Sequence, residues 1–204
     1  MKTFLTAFFG ALVSPGRTLK GLSEARGRIR KAAAAVLFAG FLYALTSLGL
    51  GVAGAVPLWP VLGGLGTDNY YFWQMIIVLP GTALAWALAA LLLHGMTRSG
   101  GFTKALAAAG PALSAPLFVA WLPAAVQTVF MALGMGQEEW AAILSDPGPW
   151  QTLYIAGYGL AALLALRAFA AAAGVLRKRP GAAGVVSGSL TAIVVIAMFL
   201  ALVR

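Results

Sequence analysis

The sequence predicts an all-α polytopic membrane protein, five transmembrane helices preceded by amphipathic interfacial helices. Three observations predict it. Of the 204 residues, 61 % are hydrophobic and 9 % charged, with a mean hydropathy of +0.92, so too little polar surface is available to coat a core in water. Apolar runs recur at about 32–56, 71–96, 103–135, 150–176 and 182–203, each long enough for the ~20 residues a span needs. The basic residues sort to alternate connections. With no tandem repeat and no linker, residues 1–204 read as a single membrane domain.

Two short helices come first. Lys2 followed by "FLTAFFGALV" imitates a signal peptide, but no small-x-small cleavage site follows and six more basic residues do. Phe4, Leu5, Phe8, Phe9 and Leu12 fall on one side at 100° per residue, which predicts an interfacial helix. Ser14 and Pro15 then offer an N-cap and a first-turn proline. The helix they open puts Leu19, Leu22 and Ile29 on one side and Arg17, Lys20, Glu24, Arg28 and Lys31 on the other. Residues 1–31 therefore form a cytosolic collar. Arg17, Lys20, Arg28 and Lys31 are its candidates for contact with anionic headgroups, unless the collar only enforces topology.

The spans follow. Seven basic residues precede the first run, Arg98 and Lys104 follow the second, and Arg177, Lys178 and Arg179 follow the fourth. The other two connections carry Asp68, or Glu138, Glu139 and Asp146, with Trp59, Tyr70, Tyr71, Trp73, Trp140 and Trp150 as interfacial aromatics. This alternation places the N-terminus in the cytosol and the C-terminus outside. The third run, 33 residues and about 50 Å as a helix, exceeds a ~30 Å hydrocarbon core. It should break at Gly110-Pro111 into a surface helix over 102–110 and a span over 112–135. Pro116 and Pro123 should kink that span, and Pro80 its predecessor.

Small residues mark packing faces: Gly40, Ala44, Ser47 and Gly51 in the first span, Gly184, Gly188 and Ala192 in the fifth. They serve the bundle or self-association. Gln74, Gln127 and Arg167 are the polar residues inside spans. No span holds Asp or Glu, so Arg167, ten residues from Arg177, must reach backbone carbonyls or lipid phosphate, or line a transport site. The carbonyl of Ala112, freed by Pro116, is the expected partner.

The segment "LLLHGMTRSGGFTKALAAAGPALSAPLFVAWLP" resembles the second and third spans of bacterial Yip1-domain proteins, where an aliphatic-His end, a Gly-Gly-Phe turn, a short helix and a span-opening Ala-Pro recur. The upstream "LVSPGRTLKGLSEARGRIRKAAAAVLF" is similar to that family's Ser-Pro helix leading into the first span. Together they cover roughly a third of the chain. The resemblance implies a five-helix polytopic protein, and its eukaryotic relatives are vesicle-traffic adaptors that interact with Rab GTPases.

Signs of chemistry are few. The chain has no cysteine and one histidine, His94, so neither a metal site nor a triad assembles, and no cofactor is expected. Glu138-Glu139 is similar to the Glu-Glu-x-x-x-Arg of intramembrane Abi-type proteases, but Ile143 replaces the arginine. "GLGVAG" at 49–54 matches GxGxxG without a preceding strand. The net charge of +9 lies between apolar runs and fits topology rather than nucleic acid. The expectation is a non-enzymatic membrane scaffold or adaptor, with a small transporter or channel as the alternative. Partners would be anionic lipid, a second copy or another membrane protein. The Ala- and Gly-rich composition points to a bacterial cytoplasmic (inner) membrane.

Overall fold

The computed structural model describes residues 2–57, 69–98, 101–177 and 181–203. Trp59, Asp68, Lys178, Arg179 and Arg204 lie outside them, as do the side chains of Phe4 and Leu5. All regular structure among the described residues is helical: α1 Lys2–Val13, α2 Pro15–Glu24, α3 Arg28–Val52, α4 Tyr70–Thr97, α5 Phe102–Ala132, α6 Gln137–Ser145, α7 Pro149–Arg177 and α8 Ala182–Val203. Five of these (α3, α4, α5, α7 and α8) are long and apolar enough to cross a membrane. The protein is an integral, all-α polytopic membrane protein.

Helix α5 is the centre of the bundle. It packs against α3, α4 and α7, while α8 sits against α7 and α4. Alanine makes this possible, because a methyl side chain lets backbones approach closely where lipid offers no hydrophobic drive. Ala105, Ala107, Ala108, Ala109, Ala112 and Ala115 have no exposed surface. The expected break at Gly110-Pro111 does not occur, and α5 is continuous from Phe102 to Ala132. Residues 107–117 are all buried, so the segment read as a surface helix exposes only Phe102, Thr103 and Lys104 and otherwise lies against protein. A Cβ on Gly110 would stand 2.6 Å from that of Ala32 on α3. Pro111 removes one hydrogen bond, which packing of this kind tolerates. Nearby, the Trp86 indole donates to the Leu106 carbonyl at 2.8 Å. Pro80, Pro116 and Pro123 also lie within helices that continue past them, as a kink, unlike a break, allows.

The N-terminal collar also differs from expectation. Its second helix stops at Glu24 rather than continuing to Lys31. Ala25 is extended and Gly27 adopts φ 71°, a left-handed conformation glycine takes at no steric cost. Arg28 then opens the first span. Arg28 and Lys31 therefore belong to α3, apart from Arg17 and Lys20 on α2, and Ile29 faces outward. Pro15 occupies the first turn of α2 as expected, but the Ser14 side chain makes no cap hydrogen bond. Neither short helix lies free in the interface: both pack on the bundle through Phe8 and Leu19, each 0 % exposed.

The connection between the third and fourth spans holds a helix the sequence reading treats as a loop. In α6, Trp140 is buried and stacks on Phe130, their centroids 5.8 Å apart. Glu138 and Glu139 form its first turn, where carboxylates complement the helix dipole.

Candidate functional site

The last carbonyls of a helix have no partner within it. Three arginines meet this need from neighbouring helices. Arg28, in the first turn of α3, donates from Nη1 to the Ser23 carbonyl at the end of α2 (2.9 Å) and from Nη2 to Thr103 Oγ1 on α5 (3.3 Å). Arg177, closing α7, donates from Nη2 to the Met96 carbonyl at the end of α4 (2.8 Å), with Ser187 Oγ of α8 at 3.3 Å. Arg167 donates from Nη2 to the Val13 carbonyl (2.9 Å), with Nη1 3.5 Å from that of Leu12, at the end of α1. Each arginine places its cation where the negative end of a helix dipole lies. Gln151 does the same without charge, donating to Leu144 of α6 at 3.0 Å.

Arg167 thus bonds backbone carbonyls, but those of Leu12 and Val13 rather than that of Ala112, four residues before Pro116. α5 and α7 do adjoin, yet the docked α1 brings two orphan carbonyls to the guanidinium, and these are its partners.

Docking of α1 rests on aromatic rings. Phe8 makes edge-to-face contacts with Phe38 of α3 (centroids 5.7 Å apart) and Phe118 of α5 (5.6 Å), and Phe118 stacks on Trp121. Such pairs contribute about 0.5–1.5 kcal/mol each beyond burial. Along α1, therefore, Phe8 meets α3 and α5 while Leu12 and Val13 meet α7, so the helix crosses the bundle. α2 packs against α5 and α7 and returns to the basic end, where Arg28 holds Ser23. Between the two helices a Cβ on Gly10 would stand 2.7 Å from Thr18 Oγ1. The pair forms a tight helical hairpin with Arg17 and Lys20 exposed on α2.

A second polar group lies towards the other end. Ser47 Oγ is 2.9 Å from Gln74 Oε1 and 2.9 Å from the Tyr43 carbonyl, and Gln74 Nε2 is 3.4 Å from Tyr70 Oη. Ser47 and Gln74 are therefore brought together across α3 and α4. Gln127 is buried, with its Nε2 4.0 Å from Met131 Sδ.

The small residues lie within the bundle. A Cβ on Gly40 would stand 2.6 Å from Thr82 Oγ1, one on Gly51 3.3 Å from the Phe72 ring, and one on Gly184 3.5 Å from the Gly174 nitrogen. Gly188 is the tightest, its Cβ falling 2.4 Å from the Ala170 backbone. Ala44 and Ala192 are buried. Pro123 packs on Gly157, whose Cβ would stand 2.9 Å from the proline ring.

Charge divides the ends of the bundle. Arg26, Arg28, Arg30, Arg98, Lys104 and Arg177 gather where α3 and α5 begin and α4 and α7 end, whereas Glu138, Glu139 and Asp146 flank α6 at the opposite end. His94, near the basic end, faces the Phe102 ring at 6.1 Å. Among the described residues no three His, Cys, Asp or Glu side chains converge as a metal site would require. An apolar crevice lined by Thr82, Ala85, Leu113, Leu117, Met198 and Phe199 has room of about 10 Å³, close to the least that holds one water. No family model, no curated protein and no solved structure matches the chain.

Proposed function

We propose that this protein is a non-enzymatic membrane scaffold or adaptor of the Yip1 kind. It would reside in a bacterial cytoplasmic membrane with the basic end and N-terminus in the cytosol and the C-terminus outside. The observation that carries the reading is the use of the arginines. Arg28, Arg167 and Arg177 each bond the carbonyl end of a neighbouring helix, so these cations hold the bundle together rather than line a path through it. The exposed cations of α2 and the start of α3 remain for anionic headgroups and for a protein partner, which includes a second copy of the chain. Positive-inside distribution supports the orientation, and the five spans agree with the resemblance to Yip1-domain proteins.

A small transporter or channel is the second reading, favoured by the Ser47–Gln74–Tyr70 group between α3 and α4. Crosslinking in native membranes with identification of partners, run beside a flux assay on the purified protein in liposomes, separates the two. Specific crosslinked partners without solute flux support the scaffold. Solute flux that Gln74→Leu abolishes supports the transporter.

A further inference from the structure

The α1–α2 hairpin enters only one half of the bundle, and two independent distances agree on its depth. Arg167, which holds the end of α1, lies ten residues from Arg177, or about 15 Å along α7. Phe38, which touches Phe8, lies ten residues from Arg28, again about 15 Å. From that depth α2 climbs back to the basic end, where its Ser23 carbonyl meets Arg28. The hairpin therefore reaches about half of a ~30 Å hydrocarbon core and stops.

Its surfaces suit one leaflet. Between Lys2 and Arg17 the chain carries no charge, and Phe9 and Val13, 73 % exposed at Val13, face outward from α1. Shallower on α2, Arg17 and Lys20 are exposed. An apolar helix below with cations above matches acyl chains beneath anionic headgroups. A twelve-residue helix lying across the bundle adds a footprint on the order of 200 Å². At the acidic end the described residues offer α6, nine residues with Glu138 and Glu139 in the first turn and Asp146 after it, which suits headgroups rather than acyl chains.

We infer that the hairpin makes the protein a wedge, wider in the leaflet at the basic end, so that it binds preferentially to anionic membrane that is convex on that side. The inference needs only insertion and the docked hairpin, and it stands or falls apart from the adaptor reading. Adding volume to one leaflet favours curvature that expands that leaflet.

The test uses the full chain in giant vesicles of phosphatidylcholine and phosphatidylglycerol from which narrow tubes are pulled. The chain has no cysteine, so Arg30→Cys or Ser145→Cys gives one label at either end, and a membrane-impermeant quencher reports orientation. Molecules with the basic end outside should be enriched on tubes over the flat membrane, increasingly so on narrower tubes. Molecules of the opposite orientation should be depleted. A chain lacking residues 2–24 should lose both effects. Should that chain fail to insert, Phe8→Asp, which removes the aromatic anchor, is measured instead and should reduce the enrichment. Equal density on tube and flat membrane for both orientations of the intact chain would overturn the inference. So would unchanged sorting in the hairpin variant, which would assign curvature preference to the bundle or to a surface used by a protein partner.

Discussion

Arg167 Nη2 lies 2.9 Å from the carbonyl oxygen of Val13, joining the fourth span to the end of the first helix across 154 residues of sequence. Two problems of membrane folding are solved by this one contact. An arginine inside a span is costly without partners, and the last carbonyls of α1 lack donors. The same pairing recurs at Arg28 with Ser23 and at Arg177 with Met96.

Arg167→Lys should lower thermal stability in detergent. Lysine has no planar fork to span two carbonyls, and hydrogen bonds to charged groups contribute about 1.5–3 kcal/mol. Arg167→Ala should lower it further and make α1 more accessible to protease. Thermal unfolding followed by tryptophan fluorescence measures the first effect and limited proteolysis the second. Equal melting of Arg167→Lys and the natural chain would mean that the guanidinium serves lipid phosphate instead.

Gly188→Ala should destabilise the bundle more than Gly159→Ala. A Cβ at Gly188 would fall 2.4 Å from the backbone of Ala170, whereas one at Gly159 meets nothing within 4 Å. Overpacking of this kind costs about 1–3 kcal/mol. Melting in detergent reads the difference, and similar values for the two variants would show that α7 and α8 separate readily.

Reporter fusions test orientation. Fusions after residues 100 and 180 should read cytosolic, and those after 66 and 145 external, because the basic connections stay inside. A reversed reading at either pair would invert the assignment of the basic end.

Charge reversal at Arg17 and Lys20 should weaken the preference for anionic lipid. Each cation near an anionic surface contributes on the order of 1 kcal/mol, and both side chains are exposed on α2. In nanodiscs of mixed lipid, Arg17→Glu with Lys20→Glu should retain less phosphatidylglycerol around the protein, with the difference shrinking at high salt. Unchanged retention would assign lipid selection to the cations of α3.

The span positions were legible because length and apolarity alone determine them: the second run, placed at 71–96, is α4 Tyr70–Thr97, and the fourth, at 150–176, is α7 Pro149–Arg177. What local rules misjudged was decided by packing. Pro111 reads as a helix end, but α5 continues through it, with Gly110 packed on Ala32 and the surrounding alanines buried. Gly27 was the missed signal in the collar, a residue able to adopt positive φ inside an otherwise continuous charge pattern. That Arg167 needs carbonyls follows from the absence of acidic residues in the spans. Which carbonyls it meets depends on α1 crossing α5, and no spacing along the chain encodes that crossing. Trp140 of α6 likewise finds Phe130 through the fold rather than through periodicity.

The measurement that bears most directly on the account is the depth of Val13 in the intact, membrane-embedded chain. If Arg167 holds the end of α1 about 15 Å from the basic end, a fluorophore at Val13→Cys should be quenched by nitroxides placed deep on lipid acyl chains, and Val13→Cys should resist a membrane-impermeant maleimide that labels Arg30→Cys readily. Labelling of Val13→Cys as fast as Arg30→Cys, with quenching only by headgroup nitroxides, would place α1 on the membrane surface and contradict the docked hairpin.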